Sequence, residues 1–154
     1  MKRVHYAVIG LVLNSLAAST VLAVKAEPEA LVLVTANNIH IDQISTKEVR
    51  KLFLGLPISR EEHTLVAIAN NSDPKLIQVF LQKVIFMSEH MYKRQLQLRR
   101  FQSGNRRIEG IKQIDQLVRI LEDTPYSLTY MWSKTAKSFN QLHILKTLWV
   151  FPSN

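Results

Sequence analysis

The six residues Ala30 to Thr35, ALVLVT, constrain this chain most. A half-solvated strand alternates apolar and polar positions, and this run does not. It reads as a strand covered on both faces. Elements to cover it follow in the sequence. Ser45-Thr46-Lys47-Glu48 has capping-box spacing and opens a helix whose buried face is Val49, Leu52 and Phe53. Gly55 suits the left-handed position that ends such a helix. Pro57 to Glu62 is a polar connection, and Thr64 to Ala69 reads as a second strand. The turn cluster Asn70 to Pro74 leads into a helix capped by Ser72 or Asp73, with Pro74 in its first turn. Leu76, Ile77, Phe80, Leu81 and Val84 form its buried stripe.

Ile39 to Ile44 alternates briefly and suggests a short extended piece. Ser88 and Glu89 begin a helix running to about Phe101, and the spacing of Met91 and Leu98 turns those two residues toward the core. Ser103-Gly104-Asn105 is a loop. Ile111, Ile114, Leu117, Val118 and Leu121 mark a further amphipathic helix. It must stop near Asp123, because Thr124 precedes Pro125 and is biased out of the helical region. Ser127 to Trp132 and Leu142 to Val150 read as two closing strands. No repeat, low-complexity segment or linker interrupts the pattern. The expectation is one α/β domain, a small mixed sheet flanked by helices, over residues 27–154.

The first 26 residues have a different character. Met1-Lys2-Arg3 is a short positive head, Val8 to Ala23 is mostly apolar, and Val21-Leu22-Ala23 and Val24-Lys25-Ala26 are small-residue cleavage patterns. That is the layout of a secretory signal peptide, with cleavage expected after Ala23 or Ala26. The expected location is the bacterial periplasm. Loss of 26 of the 154 residues leaves 128, and the charge falls from +8 to +5 because the leader holds three cations and no acid. No second apolar run reaches the ~20 residues of a membrane span.

Composition removes several chemistries. The chain has no cysteine, so disulfides, thiolate metal sites and a cysteine nucleophile are excluded. His40, His63, His90 and His143 are scattered, with no spacing that places two imidazoles on one metal. Beyond the leader the only glycines are Gly55, Gly104 and Gly110, too few for a phosphate-cradling glycine loop. No catalytic residue, cofactor or metal is expected, and an enzyme is the least favoured class.

Several segments taken together are similar to a known family. Ile44 to Gly55 (ISTKEVRKLFLG) resembles the pattern L-S-x-x-E-L-x-x-I-F-L-G of small periplasmic proteins related to phosphate ABC-transporter substrate-binding proteins. Phe80 to Ser88 resembles their F-x-x-x-V-L-G-M-S, Phe101 to Gly104 their F-x-G-x-G turn, and Thr124 to Tyr130 their T-P-G-A-I-G-Y. The likeness runs from about Ala30 to Val150. It implies a periplasmic binding protein type 2-like fold of about one lobe's size, and binding of a small anion. Three family glycines are replaced, by Phe86, Tyr126 and Thr129.

Two groups of residues are candidates for function. Thr35, Asn37 and Asn38 follow the first strand, where open α/β sheets place ligand crevices. Ser72 stands at a helix N-terminus, which suits phosphate or sulfate, and Arg99 or Arg100 offers a bidentate contact. Lys93, Arg94, Arg99, Arg100, Arg106 and Arg107 also lie within 15 residues with no acid between Glu89 and Glu109. Lys93, Arg94, Arg106 and Arg107 are candidates for an interaction surface toward an anionic partner. Tyr92 and Phe101 interleave with this charge, which would suggest nucleic acid in a cytoplasmic protein; the leader argues against it. Two functions follow: an exported domain binding a small anion such as phosphate, or a periplasmic accessory protein that keeps the fold and docks on an inner-membrane complex or sensor.

Overall fold

The computed structural model describes residues 29–36, 44–60, 62–103, 108 and 110–152. Residues 1–28, 37–43, 61, 104–107, 109 and 153–154 lie outside that set, and with them most of the extended piece expected over Ile39 to Ile44 and of the loop expected at Ser103-Gly104-Asn105. The elements in chain order are β1 (Ala30–Thr35), α1 (Thr46–Phe53), β2 (Ser59–Arg60), β3 (His63–Thr64), β4 (Val66–Ala67) and β5 (Ala69–Asn70). They continue with α2 (Pro74–Phe80), α3 (Glu89–Ser103), β6 (Gly110–Ile111), α4 (Ile114–Asp123), β7 (Ser127–Trp132), α5 (Ser133–Lys137) and β8 (His143–Val150).

β1 is central, as its uninterrupted apolar run requires. The main sheet has the order β4-β7-β1-β8. β1 is antiparallel to both neighbours, and β4 runs parallel to β7, so the sheet is mixed. Successive side chains of a strand point to opposite faces, and here both faces are covered. Leu31 and Leu33 join Leu128 and Tyr130 in one core with Val49, Phe53, Leu76, Phe80 and Val84 of the helices. Val32 and Val34 join Met131 in a second core with Leu117, Val118 and Leu121 of α4. The aromatic centre of the first core is Phe80 stacked on Tyr130, ring centroids 3.7 Å apart, with Phe53 edge-on to both.

Local sequence signals account for most element ends. Ser45 caps α1 in a full capping box with Glu48, and Gly55 follows the helix at φ +78°. Asp73, not Ser72, caps α2, accepting from the Lys75 N–H at 2.8 Å, with Pro74 in the first turn. α4 ends at Asp123, and Thr124 before Pro125 is extended. β7 spans the expected residues, and β8 begins one residue later than expected.

Four expectations are corrected. The strand expected over Thr64 to Ala69 is three short pairings, because the extended chain changes partner as it advances. His63–Thr64 pairs with β2, Val66–Ala67 with β7, and Ala69–Asn70 with β6. Thr129 Oγ1 donates to the Ile68 carbonyl at 2.7 Å, at the break between the last two. Ile111 belongs to β6 rather than to the helix of Leu117. The stripe from Leu76 to Val84 passes from α2 into a π-helical turn, Leu81–Ile85, before stopping at Phe86. Met91 and Leu98 do not face the core: they are 58% and 47% exposed, while Tyr92 and Leu96 turn inward instead.

Phe86 has φ +59° and Tyr126 φ +57°, the left-handed region that costs an L side chain ~1–2 kcal/mol. Each makes a contact there. The Arg50 guanidinium lies 4.3 Å from the Phe86 ring centroid, and Tyr126 stacks on His63 at 4.0 Å.

Candidate functional site

The site grows out of the way α3 is moored. The Tyr92 hydroxyl donates to the Phe53 carbonyl at 2.8 Å, tying α3 to the end of α1. Burial pushes the Tyr92 hydroxyl's pKa well above its ordinary value, so it stays a neutral donor. One turn on, Leu96 and Arg99 pass over Gly55, where an added Cβ would stand 3.8 Å and 3.9 Å from their side chains. A helix turns 100° per residue, so Tyr92, Gln95, Leu96 and Arg99 share the face turned toward the body of the protein.

Beside this face opens a cavity of about 440 Å³. Its floor includes Tyr130 of β7 and Leu81, and α3 supplies Leu96, Arg99 and Arg100. The far wall is Asn71 with Gly110. These two approach so closely that a Cβ at Gly110 would stand 2.2 Å from Asn71 Nδ2. A glycine is therefore required at 110 for Asn71 to keep its place. The Asn71 backbone N–H donates to the Ile111 carbonyl at 2.7 Å, extending the β5–β6 pairing to the cavity edge.

Among the described residues that line the cavity, three cations, Lys93, Arg99 and Arg100, meet one acid, Glu89. Arg99 Nε is buried and has no hydrogen-bond partner among the described residues. Most buried polar groups in folded proteins are paired, and a dry, unpaired donor on a permanent cation carries a desolvation cost of several kcal/mol. Arg100 is exposed at the rim. Lys93 also lines the opening, but its Nζ is held by Glu89 Oε1 at 2.6 Å, one turn earlier. Glu89 is thus an acid at the mouth, neutralised by Lys93. The arrangement suits an anion reaching Arg99 past Arg100.

Of the residues expected from sequence, α3 brings Arg99, Arg100 and Lys93 together here. Arg94 points away from the cavity and is exposed. Thr35 is fully buried and does not line it. β1 runs antiparallel to β7 with Leu33 opposite Tyr130 and Val34 opposite Thr129, so Thr35 lies toward the Ser127 end of β7. Ser72 is outside the cavity too; its hydroxyl donates to Asn70 Oδ1 at 2.6 Å. The helix N-terminus beside it holds the protein's own anion. Asp73 takes the Lys75 N–H, and its carboxyl lies below the usual range chiefly through the hydrogen bond from Trp132. A bound phosphate there would meet that carboxylate. Asn37, Asn38, Arg106 and Arg107 lie outside the described residues.

Sequence reasoning missed Asn71, Tyr130 and Gly110. Asn71 stood in a turn cluster where a turn explained it, and Tyr130 in a strand where packing explained it. Among the described residues no group of three or more His, Asp or Glu side chains is placed to hold a metal, and no helix is long and apolar enough to cross a membrane.

The mixed sheet with helices on both faces matches part of a periplasmic-binding-protein-like fold. PstS from Borrelia burgdorferi is a solved structure similar to it, with TM-score 0.57 and 18% identity over 81% of this chain and 49% of that one. The chain therefore spans about half the length of that neighbour. No family model and no curated protein matches the sequence.

Proposed function

We propose that this is an exported binding-protein-like domain that takes a small anion, phosphate or sulfate, in the cavity beside α3. The leader residues support export. The observation that carries the binding reading is Arg99, whose buried Nε lacks a partner at the cavity wall. An anion beside it would supply the missing acceptor and the compensating charge. Arg100 at the rim gives a second cation, and Asn71 a neutral amide on the opposite wall.

Calorimetric titration with phosphate and with sulfate tests this. Binding should be lost in Arg99→Ala, weakened in Arg100→Ala and unchanged in Arg94→Ala. At a ligand concentration 100 times Kd, the wild-type protein should gain ~2.7 kcal/mol of stability. Absence of heat and of stabilisation with either anion would overturn the reading.

A docking role without solute capture is the second reading. It is favoured by Arg94, exposed on α3 and outside the cavity lining. A pull-down from envelope extract with wild type and an Arg94→Glu variant distinguishes it from the first.

A further inference from the structure

The outer face of α3 is the one region of the described surface where large apolar side chains and cations alternate along a helix. Met91, Arg94, Leu98 and Phe101 stand at i, i+3, i+7 and i+10, one stripe on a helix of 15 residues. The three apolar members are 58%, 47% and 88% exposed. Lys93 and Arg100 flank the stripe, and Glu89, already paired with Lys93, is the only acid on the helix. The apolar stripe lies on the opposite side of α3 from Tyr92, Leu96 and Arg99, while the cations beside it, Lys93 and Arg100, also line the cavity opening.

We infer that this stripe seats the protein on an anionic phospholipid surface. Apolar side chains at the crest of a helix with cations beside them match the two layers of a membrane interface, acyl chains below and charged headgroups above. The cations complement anionic headgroups, and residues 27–154 as a whole carry +5. The shape favours lipid over a protein partner. The stripe is the ridge of a single helix, and a ridge needs a matching groove in a folded partner, whereas a fluid headgroup layer conforms to it. The orientation turns the Met91 side of α3 toward the bilayer and leaves the mouth at Lys93 and Arg100 open along its flank.

The test is local to the stripe, so that the apolar N-terminal segment does not contribute. Phe101→Trp in the full chain places an indole at the crest, and its signal is read as the difference from the parent, which carries only Trp132 and Trp149. With vesicles containing phosphatidylglycerol and brominated phosphatidylcholine, its fluorescence should be quenched and blue-shifted; with purely zwitterionic brominated vesicles it should not. Adding Arg94→Glu, which lies outside the cavity lining, to that variant, or raising the salt to 1 M, should abolish the quenching. All these positions are exposed, so circular dichroism and melting temperature should be unchanged. No lipid-dependent quenching at position 101 overturns the inference. So does concentration-dependent dimerisation lost in Leu98→Ser/Phe101→Ser without lipid binding, which would assign the stripe to a second copy of this chain.

Discussion

Trp132 Nε1 donates to Asp73 Oδ2 at 2.7 Å, joining residues 59 apart in sequence. Asp73 caps α2 with its other oxygen, so one carboxylate fixes the helix start to the end of the central strand β7. Asp73→Ala should therefore cost more than an ordinary cap. A cap alone is worth ~1 kcal/mol, and an indole N–H left without its partner adds ~1–3 kcal/mol if it stays buried. Asp73→Asn keeps an acceptor and should cost less. Urea denaturation of both variants and of Trp132→Phe, combined in a double-mutant cycle, measures the coupling.

Phe80 is the stacked partner of Tyr130 and is 1% exposed. Phe80→Ala should destabilise by ~3–5 kcal/mol, a large fraction of the stability of a domain this size. A melting temperature equal to wild type would contradict the packing described.

Leu96 and Leu98 differ by two positions on α3 and should differ in consequence. Leu96 lines the cavity face and Leu98 is exposed. Leu96→Ala should lower stability measurably, while Leu98→Ala should stay within ~0.5 kcal/mol of wild type, as surface changes do. Equal effects would mean a different helix phase.

Phe86 holds φ +59° while 63% exposed. Phe86→Gly removes the left-handed cost of ~1–2 kcal/mol and gives up little burial. It loses the Arg50 contact, but Arg50 stays anchored through Nε to the Val84 carbonyl at 2.7 Å. Stability should rise by up to ~1 kcal/mol, whereas Phe86→Val, β-branched at the same φ, should lower it. Thermal denaturation of the pair checks both signs.

Glu48 links stability to acid. Its carboxyl is lowered from 4.5 to about 2, first by the Ser45 backbone N–H, then by the Ser45 hydroxyl and the Arg60 guanidinium. The folded value lies below the unfolded one. The stabilisation is therefore complete above pH 4.5 and is lost as pH falls toward 2. Glu48→Gln should reduce the slope of stability against pH in that window and leave the slope above it unchanged. Denaturant titrations at several acid pH values read it directly.

What this chain determines by sequence alone is local. The double-sided burial of β1 follows from ALVLVT, because no residue in that run tolerates water until Thr35. The ends of α1, α2 and α4 follow from Ser45 with Glu48, from Asp73 with Pro74, and from Thr124 before Pro125, since capping and proline sterics act over a few residues. Arg99 and Arg100 are legible as candidate anion contacts because cations concentrate there without an acid. Tertiary structure decided the rest. α3 bears apolar residues on opposite sides, Tyr92 and Leu96 on one and Met91, Leu98 and Phe101 on the other. Periodicity names residues that share a face but not which face is covered; the Tyr92 hydroxyl bond to Phe53 settled it. Residues 63–70 are extended by their own preferences, yet their three successive partners, β2, β7 and β6, come from distant parts of the chain. The cavity exists only because those choices set Asn71 and Gly110 opposite Arg99, and contacts between residues so far apart in sequence leave no local pattern to read.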